Sequence, residues 1–210
     1  MRRLLVLGAG GHGKVVADAA SASRKWAAIE FLDDRHPEHG RLEDWKVIAR
    51  PDDIARVVGA DDDVIVAIGD NARRLAVIEQ LLSRGIGVTV VAHSAAVISP
   101  RATLAPGCVV FAGAVINAGT SIGRGCIVNT GAIVDHDCRL DDAVHVAPGA
   151  ALGGNVRVGR RSWVGIGASV RHGVSIGSDT MIGAGAAVVA DIGDNVVAMG
   201  VPARVSTRRD

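Results

Sequence analysis

Between Ile98 and Val188 every sixth residue is Ile, Val or Leu, through sixteen consecutive positions with no exception and no insertion. The residue two places earlier is usually small (Ala102, Cys108, Ala114, Thr120, Cys126, Ala132, Cys138). Glycines gather one and three places after, as in Ile122-Gly123-Arg124-Gly125 and Val164-Gly165-Ile166-Gly167. A period of six matches neither the 3.6 of a helix nor the alternation of a strand. It is the repeat of a parallel β-helix, whose short sides each point one branched residue inward and then turn sharply. Three repeats close a coil of 18 residues, so aliphatic side chains 18 apart stack, and Ile98 to Val188 spans about five coils. A core this narrow has no room for rings, which fits an aromatic content of 2%. Cys108 and Cys126 are also 18 apart and fall in one stack. At the roughly 4.8 Å strand spacing they read most simply as a pair of small apolar residues, with a disulfide the less favoured arrangement.

The preceding residues follow a different rule. Of the 27 glycines, nine lie in residues 1–92 and eighteen in residues 93–210, and the boundary between two domains is placed there. Residues 4–7, 28–32, 45–49, 64–68 and 88–91 read as strands. Residues 12–24 read as a helix with Val15, Val16 and Ala19 or Ala20 inward. Pro51-Asp52-Asp53 opens a second, and Asn71 caps a third in which Leu75, Ile78 and Leu82 recur. Strands separated by helices argue a small Rossmann-like parallel α/β domain. The net charge of +1, split almost evenly between the halves, gives no electrostatic case for nucleic acid. No apolar run approaches a bilayer span, so no membrane insertion is expected, and three cysteines outside any disulfide framework point to a soluble, cytoplasmic protein.

Two motifs carry chemistry. Gly8, Gly10 and Gly13 form a G-x-G-x-x-G between a strand and a helix, with Asp33 and Asp34 about twenty residues on, a context that fits phosphates over a helix N-terminus and an acid near a ribose. A tight turn in any α/β domain is the plainer alternative. The second motif is Asp135-His136-Asp137 inside the repeat. Val134 points inward, so Asp135 points outward and His136 falls at or near a corner. A neutral imidazole oriented by a carboxylate suits proton removal from an acceptor amine or hydroxyl; a solvated His in a polar turn is the alternative. His93, His136, His145 and His172 are spaced unlike metal ligands, and no metal is expected.

The chain resembles a known family through Gly8-Ala9-Gly10-Gly11-His12-Gly13-Lys14, Phe31-Leu32-Asp33-Asp34, Ile68-Gly69-Asp70-Asn71, Asn129-Thr130-Gly131, Asp135-His136-Asp137-Cys138, His145-Val146-Ala147-Pro148-Gly149 and Met199-Gly200-Val201-Pro202-Ala203. The family is that of the left-handed β-helix acyltransferases, specifically the bacterial sugar acyltransferases grouped with sialic acid O-acetyltransferase and the UDP-4-amino-sugar N-acetyltransferases of bacillosamine biosynthesis. The left hand of the coil is taken from this resemblance alone. The resemblance implies a homotrimer with acetyl-CoA between adjacent β-helices. It implies His136 as general base, Asp137 or Asp135 as its orienting acid, and His145 at the acyl carbonyl. It places Asn129 near the active centre, backbone N–H groups near Gly154 at the oxyanion, and Trp163 and Ile166 with the cofactor. Trp163 either stacks on adenine or packs across the trimer. Relatives often carry Glu where this chain has Asp137. A nucleotide-linked sugar (UDP or GDP) is implied near Gly10, Gly11, His12, Gly13, Asp33, Asp34, Gly69 and Asn71.

The expected activity is acetyl transfer from acetyl-CoA to the 4-amino group of a nucleotide-linked amino sugar, without a covalent enzyme intermediate. O-acetylation of sialic acid or another sugar hydroxyl is the alternative chemistry. A non-catalytic sugar-nucleotide-binding trimer is the alternative class. Arg157, Arg160, Arg161 and Arg171 are either CoA phosphate contacts or solvated surface, the segment 33–44 with His36 and His39 is a lid or an ordinary loop, and the tail after Ala203 is expected to fray.

Overall fold

In the first of two compact units, Met1–Ser94, continuous apolar runs become strands and the amphipathic stretches between them become helices. The computed structural model describes residues 2–208. The unit runs β1 (Arg3–Leu7), α1 (Gly11–Ser23), β2 (Ala28–Leu32), β3 (Arg41–Leu42), β4 (Trp45–Ala49), α2 (Ile54–Val57), β5 (Asp63–Val66) and α3 (Asn71–Ser83). The sheet order is β3-β4-β2-β1-β5, parallel except for β3, which pairs antiparallel with β4. Leu4, Leu5 and Val6 are fully buried, the signature of a central strand covered on both faces.

Several local expectations are corrected. The segment 33–44 is not all loop, because Glu43 takes a left-handed φ of 51° and turns β3 back onto β4 without a glycine. Val15 is 42% exposed, and the inner face of α1 is Val16, Ala17, Ala19 and Ala20. The cap of α3 is Asp70, whose carboxylate accepts from the Arg73 N–H at 2.8 Å, and Asn71 is already helical. Leu81 rather than Leu82 completes the buried stripe begun by Leu75 and Ile78. The strand expected over 88–91 does not join this sheet: residues 88–90 form no strand and Val91–Ala92 belongs to a different sheet, although the Thr89 N–H still reaches the Val64 carbonyl at 2.8 Å.

The second unit, Ala95–Asp210, is a parallel β-helix. Two-residue strands pair with those 18 residues away. One side runs Ile98, Ile116, Val134, Leu152, Val170, Val188. A second runs Leu104, Ile122, Leu140, Val158, Ile176, and a third Val110, Val128, Val146, Val164, Ile182. From Val110 onward none of these aliphatic residues is more than 4% exposed, and each contributes about 1.5–3 kcal/mol by leaving water.

The small residues before them close the corners. Cys108, Cys126 and Cys138 are free and buried, and each Sγ–H donates to a carbonyl fifteen residues on, at 3.0–3.2 Å. Thr120 and Ser162 do the same through hydroxyls at 2.7 and 2.6 Å. The cysteines therefore fill the small position as apolar donors and form no disulfide. The tail expected to fray is held instead. Val196–Met199 extends the third side parallel to Met181–Ile182, and Arg204–Arg208 folds back antiparallel against it. Residues 209 and 210 of that tail lie outside the described residues.

Candidate active site

The corner between the Ile133–Val134 and Arg139–Leu140 strands carries the polar triplet. His136 Nδ1 donates to Asp137 Oδ2 at 2.8 Å, which leaves Nε2 as the proton acceptor. An aspartate reaches its neighbour's ring here because Asp137 sits in the left-handed region at φ 58°, folding its short side chain back along the chain. Asp135 instead braces the turn, since its Oδ1 accepts from the His136 backbone N–H and from Asn117 Nδ2, both at 2.8 Å. The carboxylate on the imidazole is thus Asp137. Its hydrogen bond, followed by the Asp135 charge, raises the His136 pKa above the ordinary value. The Asn117 amide and the His136 N–H hold the Asp135 carboxyl below its own.

Neighbouring coils seat this pair. A Cβ on Gly154 would stand 2.5 Å from His136 Nε2 and 2.6 Å from Cε1, so the imidazole lies where a side chain would be. A Cβ on Gly119 would collide with the Asp137 carboxylate. Thr120, 1% exposed, donates to the Asp135 carbonyl at 2.7 Å and accepts the Cys138 N–H at 3.1 Å, pinning both ends of the turn. The His136 carbonyl accepts the Asn155 N–H at 2.8 Å. Burial raises the Cys138 pKa and keeps the thiol protonated. Beside Asp137 an open groove of about 570 Å³ runs past Arg139 and Arg157.

A second cluster lies on a different side of the coil. Asn129 Oδ1 accepts the Thr130 N–H at 2.8 Å, which turns its Nδ2 towards His145 Nε2 at 3.0 Å. His145 Nε2 is then an acceptor and Nδ1 carries the proton. His145 is 4% exposed, and its ring centroid is 3.9 Å from that of Trp163, one coil on, at 50°. Ile166, at the next corner, is 59% exposed. Within one chain, His136 with Gly154 and His145 with Asn129 and Trp163 remain separate groups. Of the arginines, Arg161 is committed to Asp179 at 2.6 Å and Arg171 is exposed.

In the α/β unit, a cavity of about 740 Å³ opens at the carboxyl ends of β1, β2 and β5, beside the point where the strand order reverses. Gly10, Gly11, His12, Asp33, Asp34 and Gly69 line it. Gly13 and Asn71 do not. Gly13 is glycine for close packing, since a Cβ would collide with the Gly8 carbonyl and stand 3.2 Å from Phe31. Asn71 Oδ1 accepts from the fully buried Arg74 at 2.7 Å. Asp33 ties the glycine loop, accepting the Ala9 N–H at 2.7 Å and Arg35 Nε at 2.7 Å. Asp34 pairs with Arg73 at 3.2 Å. Burial, and next the nearby Arg74 charge, push the His12 pKa down to about 4, so its ring is neutral at pH 7. Among the described residues no group of His, Cys, Asp or Glu could hold a metal, and no helix is long and apolar enough to cross a membrane.

Sequence reasoning missed Asn117 and Thr120, although both stand 18 residues before partners in the triplet's turn. It also missed the far wall of the cavity, supplied by Pro51 and Ile54 beyond β4 and by Arg73, Val77 and Leu81 on α3. The parallel topology was the available signal, since it brings those segments to one sheet edge.

Residues 3–81 match the family model described as the PglD N-terminal domain, and residues 155–190 match the bacterial transferase hexapeptide model of six repeats. Among solved structures the chain is similar to the acetyltransferase domain of PglB from Neisseria gonorrhoeae FA1090 in complex with acetyl coenzyme A. That match has 42% identity and a TM-score of 0.94, over 97% of this chain and 98% of that one. It is also similar to a histidine-to-alanine mutant of GDP-perosamine N-acetyl transferase from Caulobacter crescentus in complex with CoA and GDP-perosamine, at 38% identity and a TM-score of 0.89, over 97% and 96%. WeeI from Acinetobacter baumannii AYE aligns at 26% identity and a TM-score of 0.88, over 98% and 100%. No curated protein sequence matches the chain.

Proposed function

Because the chain belongs to the hexapeptide-repeat sugar N-acetyltransferases that carry a PglD N-terminal domain, we propose that it acetylates the 4-amino group of a nucleotide-linked amino sugar with His136 as base. It is an acetyl-CoA-dependent sugar acyltransferase. The observation that carries the finer reading is the His136–Asp137 pair, with its acceptor nitrogen lying against a glycine backbone.

The reaction is then direct. The acceptor amine attacks the thioester carbonyl and forms the N–C bond, and its proton passes to His136 Nε2. The Gly154 N–H, which makes no hydrogen bond among the described residues, donates to the oxygen that gains charge in the tetrahedral intermediate. The C–S bond breaks as the carbonyl reforms, and the thiolate leaves as CoA-SH with the proton from His136. Asp137 fixes the tautomer and stabilises the imidazolium. We assign the contact with the acyl carbonyl to His145, buried and held by Asn129, from the neighbouring β-helix of a homotrimer. Exposed apolar residues on the β-helix, Val97 at 62% and Ile133 at 43%, supply surface for that neighbour. The cavity of the α/β unit holds the nucleotide, with its diphosphate over the N-terminus of α1. Buried free thiols and a CoA co-substrate fit a cytoplasmic protein.

The test is CoA-thiol release from acetyl-CoA with a panel of nucleotide-linked amino sugars and free sialic acid. Release that needs a nucleotide-linked 4-amino sugar and vanishes in His136→Ala, with the trimer intact by light scattering, supports the reading. Release only with sialic acid moves the chemistry to O-acetylation, and no release with any acceptor favours a binding module.

A further inference from the structure

His136 has an aspartate on each side in the chain, and its neutral ring has one N–H to give. Two acceptor-only carboxylates compete for that donor, and the one that takes it sets where Nε2 points. A side chain from the preceding coil decides the competition. Ile116 pairs with Val134, so Asn117 stands beside Asp135, and its Nδ2 donates to Asp135 Oδ1 at 2.8 Å. The same oxygen accepts the His136 backbone N–H at 2.8 Å. The following coil supplies no side chain at this point, since Leu152 pairs with Val134 and the next residue is Gly153. Asp137, turned back by its left-handed φ of 58°, takes the ring proton at 2.8 Å.

We propose that Asn117 is a positioning residue for the transfer step: by tying Asp135 to the turn, it leaves Asp137 as the carboxylate that orients His136. This role presupposes that His136 is the base, as proposed above, and adds a residue that acts on it through Asp135. An amide is suited to the task because it donates without adding charge. The Asp137 hydrogen bond first, and then the Asp135 charge, raise the His136 pKa, so Asp135 still supports the imidazolium while its oxygen is held away from the ring. An aliphatic residue at 117 would free Asp135 to compete for the Nδ1 proton. A ring drawn to Asp135 would carry Nε2 out of its seat against Gly154.

The experiment is a double-mutant cycle on the full chain, read as CoA release with the acceptor that the panel above identifies, with Asn117→Ala, Asp137→Asn and the two combined. Asn117→Ala alone should lower kcat and leave the KM for acetyl-CoA unchanged. In that background Asp135 can take the ring proton, so Asp137→Asn should cost at least about threefold less in kcat than it does in the unmodified chain. The acid limb of kcat/KM, which Asp137→Asn moves to lower pH in the unmodified chain, should stay in place in the double variant. Losses that multiply, with the acid limb moving equally in both backgrounds, mean that Asn117 only props the turn and overturn the proposal. Unchanged kcat in Asn117→Ala overturns it as well. Asn117→Leu, which keeps the volume without the donor, serves the same cycle if the alanine variant does not fold. Wild-type kcat in His136→Ala is a different result, and it overturns the base reading beneath the proposal.

Discussion

Replacing Gly154 by alanine isolates the geometry of the base from its chemistry. The backbone at Gly154 is outside the left-handed region, so alanine brings no φ penalty and even a few tenths of a kcal/mol of stability from a stiffer unfolded chain. The new Cβ would stand 2.5 Å from His136 Nε2, and ordinary contact begins at 3.4 Å, so the ring must retreat by about 0.9 Å. Among the described residues only Asp137 holds that ring through its own nitrogen, at 2.8 Å, and both side chains are about two-thirds exposed, so the ring gives way and the backbone does not. A displacement near 1 Å at the reacting nitrogen lowers turnover by about a hundredfold. Steady-state CoA release should therefore show kcat down by roughly that factor, with the KM for the nucleotide sugar unchanged, since the α/β cavity is untouched. The melting temperature should stay within a few degrees. Gly119→Ala is the contrasting control: it also displaces the dyad, through Asp137, but at φ 76° it carries backbone strain and should lose stability as well. Wild-type kcat in a folded Gly154→Ala protein would refute the placement of His136 as the base.

Three further outcomes follow from the same geometry. Asp137 raises the His136 pKa, so activity falls as pH drops through a midpoint above the usual imidazole range; in Asp137→Asn the acid limb of kcat/KM should move to lower pH while the plateau drops. Thr120→Val keeps shape but leaves the Cys138 N–H and the Asp135 carbonyl each short of a partner, which should cost about 1–3 kcal/mol in urea unfolding. Its kcat should also fall, because the turn carrying His136 loosens. His12 takes up a proton below about 6.5 when unfolded and resists to about 4 when folded, so stability is full above pH 6.5 and declines as pH falls towards 4, by up to about 3 kcal/mol. His12→Gln should flatten that decline in urea titrations at pH 7, 5 and 4.

Most of the β-helix was legible because its period is also its contact map. Once the coil is 18 residues, Asn117 must lie by Asp135, Gly119 by Asp137, Thr120 by Cys138 and Gly154 by His136, and the structure has each of these pairs in contact. The α/β unit has no such rule. Its β3 hairpin turns at Glu43, a residue type that gives no turn signal. Asp70 and Asn71 are both good caps by residue type, and only backbone geometry chooses between them. The cavity is assembled from five separate stretches of chain, so it had no local signature at all.

The same contrast bears on how each half of the site can change. In the β-helix, a side chain at one corner is packed by the residue 18 positions away, so a polar residue such as His136 can occupy the corner only where that neighbour gives it room. Gly154 does so above the imidazole and Gly119 beneath the carboxylate. Acid–base chemistry at this corner therefore requires four positions at once, two polar and two glycine, and no single substitution elsewhere on the coil could recreate it. The far wall of the α/β cavity has the opposite character. Asp52, Gln80 and Arg84 are exposed and hold no side-chain partner among the described residues, so replacing them should leave the fold undisturbed. The lining of that cavity is thus free to vary where the fold makes no demand, while the seating of His136 against Gly154 and of Asp137 against Gly119 is fixed by the 18-residue register.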